Sequence, residues 1–327
     1  MALGLGLGFG WSLGRKGVFF TFIAFVFLAL LIFSLSVGNN YEMRQRIFVI
    51  ETRVDTMDKF LSDVEQDMER GAYIAGFRTL IALEDHIVST GEYLTDLEGD
   101  FNELFFNGTL NGVNSSIMVN NTFDDWVDKI KDEADKIDIL VNFSINNVNL
   151  SQDNPWDVRV NMALEISVID KADTSQWNRE RLIISRIEIN GFEDPIYRLE
   201  TNGVIEHRVE KTNFSYFANG ADISNLLSHT YDGYYASFSG APSYLMRLEG
   251  NFGSSEYGIE SLVDVGDLNS RGVSSRDKSI VDYIYFGSQN PVKYHVSGAP
   301  SWFKLDNESN MHGNQSHHGL YEVNGLV

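Results

Sequence analysis

The chain has no cysteine and only five prolines in 327 residues. The first absence excludes disulfides, thiolate zinc sites and cysteine nucleophiles together. It also separates the chain from eukaryotic secreted domains, which at this size usually carry disulfides; it fits a prokaryotic surface protein stabilised by the size of its core. Positive charge is scarce as well, with 25 Lys and Arg against 46 Asp and Glu, a net charge of −21. A chain this acidic lacks the basic face that nucleic acid or anionic lipid headgroups require. The G-x-S-x-G elbow, the H-E-x-x-H helix and the Walker loop are all missing. The seven His are scattered, and Glu84-Asp85-His86 reads as a surface charge cluster, because adjacent residues on a helix do not share a face. The expectation is a protein that is not an enzyme; a hydrolase would need a carboxylate pair assembled by the fold.

What is present is a long apolar run. Val18–Val37 carries no charge and includes six Phe. About 20 helical residues span a hydrocarbon layer of roughly 30 Å, so this reads as a transmembrane helix over 18–37 with lipid as its partner. Ser34-Leu35-Ser36 also has the small-x-small form of a secretory cleavage site; against that, the run exceeds the usual h-region and the helical pattern continues beyond it. Residues 1–17, with Gly4, Gly6, Gly8 and Gly10, read as a cytoplasmic leader rather than a nucleotide loop, since no strand precedes them. Eight Asn-x-Ser/Thr sequons follow the span, at Asn107, Asn114, Asn120, Asn142, Asn149, Asn213, Asn307 and Asn314. With the acidic bulk they set the expected topology: N-terminus inside, the rest a glycosylated ectodomain at the cell surface.

No proline interrupts the sequence from Val18 to Val88. Ile47, Ile50, Val54, Met57, Leu61, Val64 and Met68 alternate spacings of three and four, so residues 38–91 read as an extracellular helical stalk. It either packs on its own domain or forms a coiled coil with neighbouring copies. Gly71 and Gly76 suggest a bend, and Gly91 a stop. Residues 98–121 read as loop. Thr122 caps a helix whose face is Trp126, Ile130, Ala134 and Ile137. The period then changes to two, through Ile139–Ile145, Val158–Val168 and Leu182–Ile189, with a slip between Ile184 and Ile187: an antiparallel meander closing a part over 92–202. A second β-rich region with short helices follows over 203–307, with Asp222 capping a turn that carries Leu226 and Leu227 and Ile280–Phe286 as a strand, and 308–327 reads as a disordered polar tail. The expected class is α+β: a long N-terminal transmembrane and amphipathic helix followed by an antiparallel β-rich extracellular head in two parts.

Candidate sites are few. Ser239–Ser243 and Ser297–Ser301 are both Ser-Gly-Ala-Pro-Ser, either a capped turn used twice or a shared ligand loop. Glu260, Asp264, Asp267 and Asn269 offer hard oxygens around Gly266, without EF-hand spacing, so calcium is the one cofactor suggested and otherwise none. His312, His317 and His318 could ligate a transition metal. Tyr231, Tyr234, Tyr235 and Phe238, in a Gly/Ser-rich stretch, either fill a core or stack on sugars.

Arg15, Lys16 and Gly17 directly before an uninterrupted apolar helix resemble the N-terminus of archaeal type IV pilin precursors and related pilin-like surface proteins. The resemblance covers about 30 residues. It implies that a prepilin-type peptidase cuts between Gly17 and Val18, that the helix is retained and packs with other pilin-like subunits, and that a β-rich head is displayed for assembly or adhesion. Phe22 stands at the fifth position after that cut, where many bacterial pilins carry Glu and archaeal members often do not. The size of the head is closer to a minor or adhesin-like subunit than to a major pilin. The alternative is a signal-anchored binding or sensing ectodomain that enters no filament.

Overall fold

The computed structural model describes residues 15–172 and 175–327. The leader before Arg15 lies outside the described residues. The chain divides into two units, Met1–Leu61 and Ser62–Val327.

Helix α1, Arg15–Thr90, begins in the first unit and ends in the second. Its span Phe19–Ser36 is long and apolar enough to cross a membrane, and none of it is buried. Farther along, Ile47, Ile50 and Val54 of the predicted seam are also exposed, whereas Val64, Met68, Ala72, Ala75, Leu80, Leu83 and Ile87 are buried within the second unit. The helix stops at Gly91, whose positive φ of 72° and N–H bond to the Ile87 carbonyl make a left-handed cap. Gly71 and Gly76 fall within a helix that runs unbroken from Arg15 to Thr90. A Cβ at Gly71 would fall 2.6 Å from the Trp126 ring, and one at Gly76 would fall 2.9 Å from Val160, so both are sites of close packing inside a continuous helix.

Residues 98–121 are not the loop expected. Helix α2, Leu97–Asn107, is capped by Asp96 and buries Leu97, Phe101, Leu104 and Phe105, a helical spacing hidden among Asn and Gly. A two-rung hairpin follows, β1 (Thr109–Leu110) with β2 (Val113–Asn114). The Glu103 carboxylate ties its turn by accepting from Thr109 Oγ and the backbone N–H groups of Asn111 and Gly112. Helix α3, Phe123–Asp135, starts with the predicted Thr122 cap, completed as a capping box by Asp125. Its buried residues are Phe123, Val127, Ile130 and Ala134. The face is therefore rotated from the expected one, and Ile137 lies exposed beyond the helix end.

The meander is the predicted one: β3 (Ile139–Asn154), β4 (Asp157–Asp170) and β5 (Gln176–Glu188), antiparallel in the order β3-β4-β5. Strand β3 runs well past the expected Ile145, to Asn154. A register shift between Ile145 and Asn147 moves its inward positions from Ile139 and Val141 to Val148 and Leu150. Strand β4 buries every second residue from Val158 to Val168. In β5 no slip occurs: the pairing with β4 is unbroken, Ile183, Ser185 and Ile187 face inward, and Leu182 and Ile184 face out. Ser185 mimics a slip because it fills an inward position, where its hydroxyl donates to the Glu69 carbonyl.

The remainder is built from short elements around one apolar cluster that runs from Ile196 to Val323. They are α4 (Pro195–Glu200), α5 (Ser224–Tyr231), β6 (Tyr235–Ser237), α6 (Tyr244–Leu248), β7 (Ile259–Ser261), α7 (Val265–Ser270), α8 (Asp282–Phe286), β8 (Lys293–His295), β9 (Lys304–Asp306) and α9 (His317–Leu320). Strands β6 and β7 pair antiparallel, as do β8 and β9. The short helices expected among the strands are present but outnumber them, so this part is less β-rich than expected. The segment expected as a strand contains helix α8 (Asp282–Phe286) instead; every residue of that helix is buried, so the alternation carried no information about faces. The tail is ordered as well. His317, His318, Tyr321 and Val323 are buried, and the Glu322 carboxylate accepts from the Phe217 and Ala218 N–H groups. The fold is thus mixed helix and sheet, with one N-terminal apolar helix and antiparallel sheets.

Candidate functional site

Two features carry chemistry, one in each unit. In the first, Arg15, Lys16, Gly17 and Val18 form the opening turn of α1, directly before the exposed apolar span. In the second, the eight sequon asparagines are all exposed. Asn142 and Asn149, an odd number of residues apart on β3, reach the same outer face because the register shift lies between them.

The interior of the second unit holds charge. The Arg247 side chain is 0% exposed, and its Nη1 donates to Asp194 Oδ2 at 2.5 Å and Asp282 Oδ2 at 3.0 Å; both carboxylates are equally buried. Nη2 donates to the Ile259 carbonyl. Burial opposes the guanidinium charge, but the two carboxylates overcome it and raise the Arg247 pKa further. Burial and the neighbouring Asp194 raise the Asp282 carboxyl, which also accepts from the Ser261 N–H and hydroxyl. Sequence helps to place this cluster: Asp194 is a helix cap before Pro195, and Arg247 follows a Ser243 cap. Asp194 and Asp282 thus share one guanidinium, and neither carboxylate meets solvent.

A second cluster joins Glu260, His317 and Asp306. His317 lies 2.6 Å from Asp306 through Nδ1 and 3.2 Å from Glu260 through Nε2. Burial lowers the imidazole pKa, but the two carboxylates outweigh it and bring it up to about 10. Tyr321 donates to the other Glu260 oxygen.

These contacts scatter the predicted calcium set. Glu260 is committed to His317 and Tyr321, Asp264 caps α7, Asp267 pairs with Arg271, and Asn269 is exposed. The three His diverge too: His317 and His318 are in the core and His312 is exposed. Among the described residues no group of three or more His, Asp or Glu is arranged to hold a metal ion. Glu84 is not part of a free surface cluster, since it accepts from Tyr244, and burial pushes its pKa up to about 8. Of the aromatic stretch, Tyr235 and Phe238 are core and Tyr231 is exposed. The two Ser-Gly-Ala-Pro-Ser segments share a turn, Ala241 donating to Phe238 and Ala299 to Val296. They then diverge, the first into helix α6 and the second into strand β9.

No family model, curated protein or solved structure matches the chain.

Proposed function

We propose that the chain is a pilin-like surface subunit, of the minor or adhesin-like kind, anchored by its N-terminal helix and displaying a two-part glycosylated head outside the cell. One observation carries this reading. Phe19–Ser36 presents an uncharged, strongly apolar surface that the chain does not cover, and Arg15-Lys16-Gly17 stands just before it. Exposed apolar surface of that extent needs lipid or other apolar helices around it. The exposed seam residues Ile47, Ile50 and Val54 extend the apolar surface past the span. The exposure of all eight sequon asparagines supports an outside head. The work of such a subunit is helix packing and display, with no covalent chemistry.

The test is mass spectrometry of the N-terminal peptide of the mature protein, from membranes and from sheared surface material. A start at Val18 in both fractions is the expected result. An intact leader would leave an anchored ectodomain outside any filament. A start near Val37 would mean that the helix is discarded, and the reading fails.

A further inference from the structure

Strand β5 is a sheet edge. It pairs only with β4, and among the described residues no backbone N–H or carbonyl from Glu180 to Glu188 bonds to anything else. The opposite edge, β3, is interrupted by register shifts between Ile145 and Asn147 and between Ser151 and Asn154, a device that discourages added strands. Strand β5 has no such break, no proline and no glycine. Its open side borders a cavity of about 490 Å³, lined by Ser62, Gln66 and Glu69 of α1 and by Arg181 to Ile184 of β5. Arg181 and Ile183 belong to the inner face of the strand, Leu182 and Ile184 to the outer. All four border one cavity because it opens along the edge of the strand.

The outer face of β5 carries charge that its own sheet does not balance. Glu180 stands directly opposite Glu165 of β4; both are exposed, and neither has a cation among the described residues. Like charges so placed repel. Along the same face follow Leu182, 66% exposed, Ile184, 40% exposed, and the half-exposed Arg186. From 180 to 186 the outward residues therefore read acid, apolar, apolar, base. Turned end for end, that series is its own complement. An antiparallel copy centred on Ile183 sets Glu180 opposite the partner's Arg186 and Leu182 opposite the partner's Ile184, and each pair occurs twice. A slide of two residues either way sets Glu180 opposite the partner's Ile184 or the partner's Glu188, so the match specifies one register. Arg186 lies 3.3 Å from Asp153, which it shares with Arg159, and its guanidinium keeps donors for a second carboxylate.

We infer that β5 pairs antiparallel with β5 of a second copy of this chain, centred on Ile183, joining two three-stranded sheets into one of six strands. The edge supplies the backbone hydrogen bonds, and the outward side chains supply the choice of partner. Helix α1 and β5 run in the same sense, since Glu65 meets Arg179 and Arg181 while the Glu69 carbonyl meets Ser185. In the pair, the two α1 segments from Ser62 onward are therefore antiparallel, and their N-terminal ends leave the joined sheet at opposite ends. This is a contact between heads on facing surfaces rather than between neighbours in one membrane. That last step rests on the anchoring proposed above; the pairing does not.

The chain has no cysteine, so introduced thiols report the register without background. The test uses the full chain in detergent, with Glu180→Cys and Arg186→Cys as separate variants. Mixed and mildly oxidised, they should form a disulfide dimer, because opposed Cβ atoms lie about 5 Å apart. Either variant alone should form about tenfold less, because its two thiols would lie six residues, roughly 20 Å, apart along the strands. Adding Leu182→Arg to both should cut the mixed dimer about tenfold, since an arginine there meets the partner's Ile184 and lies diagonal to its own counterpart. Leu182 is exposed, so unfolding curves should match the parent and separate lost pairing from lost fold. Vesicles carrying one variant should also link to vesicles carrying the other. No mixed dimer in detergent, equal dimer in the single variants, or indifference to Leu182→Arg overturns the pairing. Linkage in detergent and in vesicles holding both variants, but not between vesicles, overturns the facing-surface step and leaves the pairing standing. The N-terminal peptide measurement reads anchoring alone, so either reading can fail without the other.

Discussion

In one region of this molecule the phenylalanines face outward; in the other the ions face inward. Phe19–Ser36 leaves every one of its apolar side chains uncovered, while the unit from Ser62 onward encloses Arg247, Asp194, Asp282, Glu260, Asp306 and His317 in its core. The two inversions have different physical standing. Apolar exposure is stable when the surrounding solvent is itself apolar, so it points to the environment of the helix. A buried ion is stable only when a partner of opposite charge and further hydrogen bonds replace water, so it points to geometry within the fold. The first can be read from composition, and the second needs three-dimensional partners.

The largest effect should come from breaking the second inversion. Arg247→Met removes the only cation touching Asp194 and Asp282 among their described contacts. It should cost about 3–5 kcal/mol, because two carboxylates stay buried without a partner. Adding Asp194→Asn and Asp282→Asn to that variant should recover most of the loss, since amides can still cap α4 and accept from Ser261 without carrying charge. Urea unfolding of the single and triple variants decides it. A triple variant no better than the single would show that the cluster matters for packing rather than for charge balance.

Breaking the first inversion should cost somewhat less and leave the head intact. Leu28→Arg places a charge near the middle of the span and should disfavour membrane insertion by about 2.5–3.5 kcal/mol. The fraction resisting carbonate extraction should drop, while the unfolding transition of the head is unchanged. Undiminished membrane retention would mean that some other feature holds the chain there.

The two inversions also explain what was legible beforehand. The span, the stop at Gly91, the Thr122 cap and the three-stranded meander were written in local patterns: an uncharged run, a left-handed glycine, a hydroxyl three residues before an acid, and a period of two. Helix α8 and the ordered tail were not. Asp282–Phe286 is buried on all sides, so its alternation had no polar face to set the period, and the tail is held by partners far away in sequence, such as Glu322 with Phe217. The four candidate calcium residues show the same limit: closeness in sequence did not bring Glu260, Asp264, Asp267 and Asn269 to one point, because β7 sends Glu260 inward while the others serve α7.

A smaller test concerns an inward polar group with no partner. His229 is buried, and neither ring nitrogen has a hydrogen-bond partner. Burial alone brings its pKa down to about 3. A folded pKa below the unfolded value of about 6.5 means stability that is present above pH 6.5 and lost as pH falls toward 3; His207, lowered to about 4, acts in the same direction. His317, raised to about 10, acts at the other end: its contribution is full below about 6.5 and gone once pH passes 10. His229→Leu should therefore stabilise the fold by about 1 kcal/mol at neutral pH, and by more at pH 5, flattening the acid side of a plot of Tm against pH. An unchanged acid slope would assign the loss to His207 or to the carboxylate clusters.

The smallest effect separates neighbours on one strand. Leu182 is 66% exposed on the outer face of β5, and Ile183 is 7% exposed on the inner face. Leu182→Ala should change stability by no more than about 0.5 kcal/mol, whereas Ile183→Ala should cost about 2 kcal/mol or more. A one-residue slip in the β4–β5 pairing would exchange the two faces and reverse that order. The ranking of these two variants therefore tests the register directly, and with it the placement of Ser185, whose inward hydroxyl holds β5 to the Glu69 carbonyl of α1.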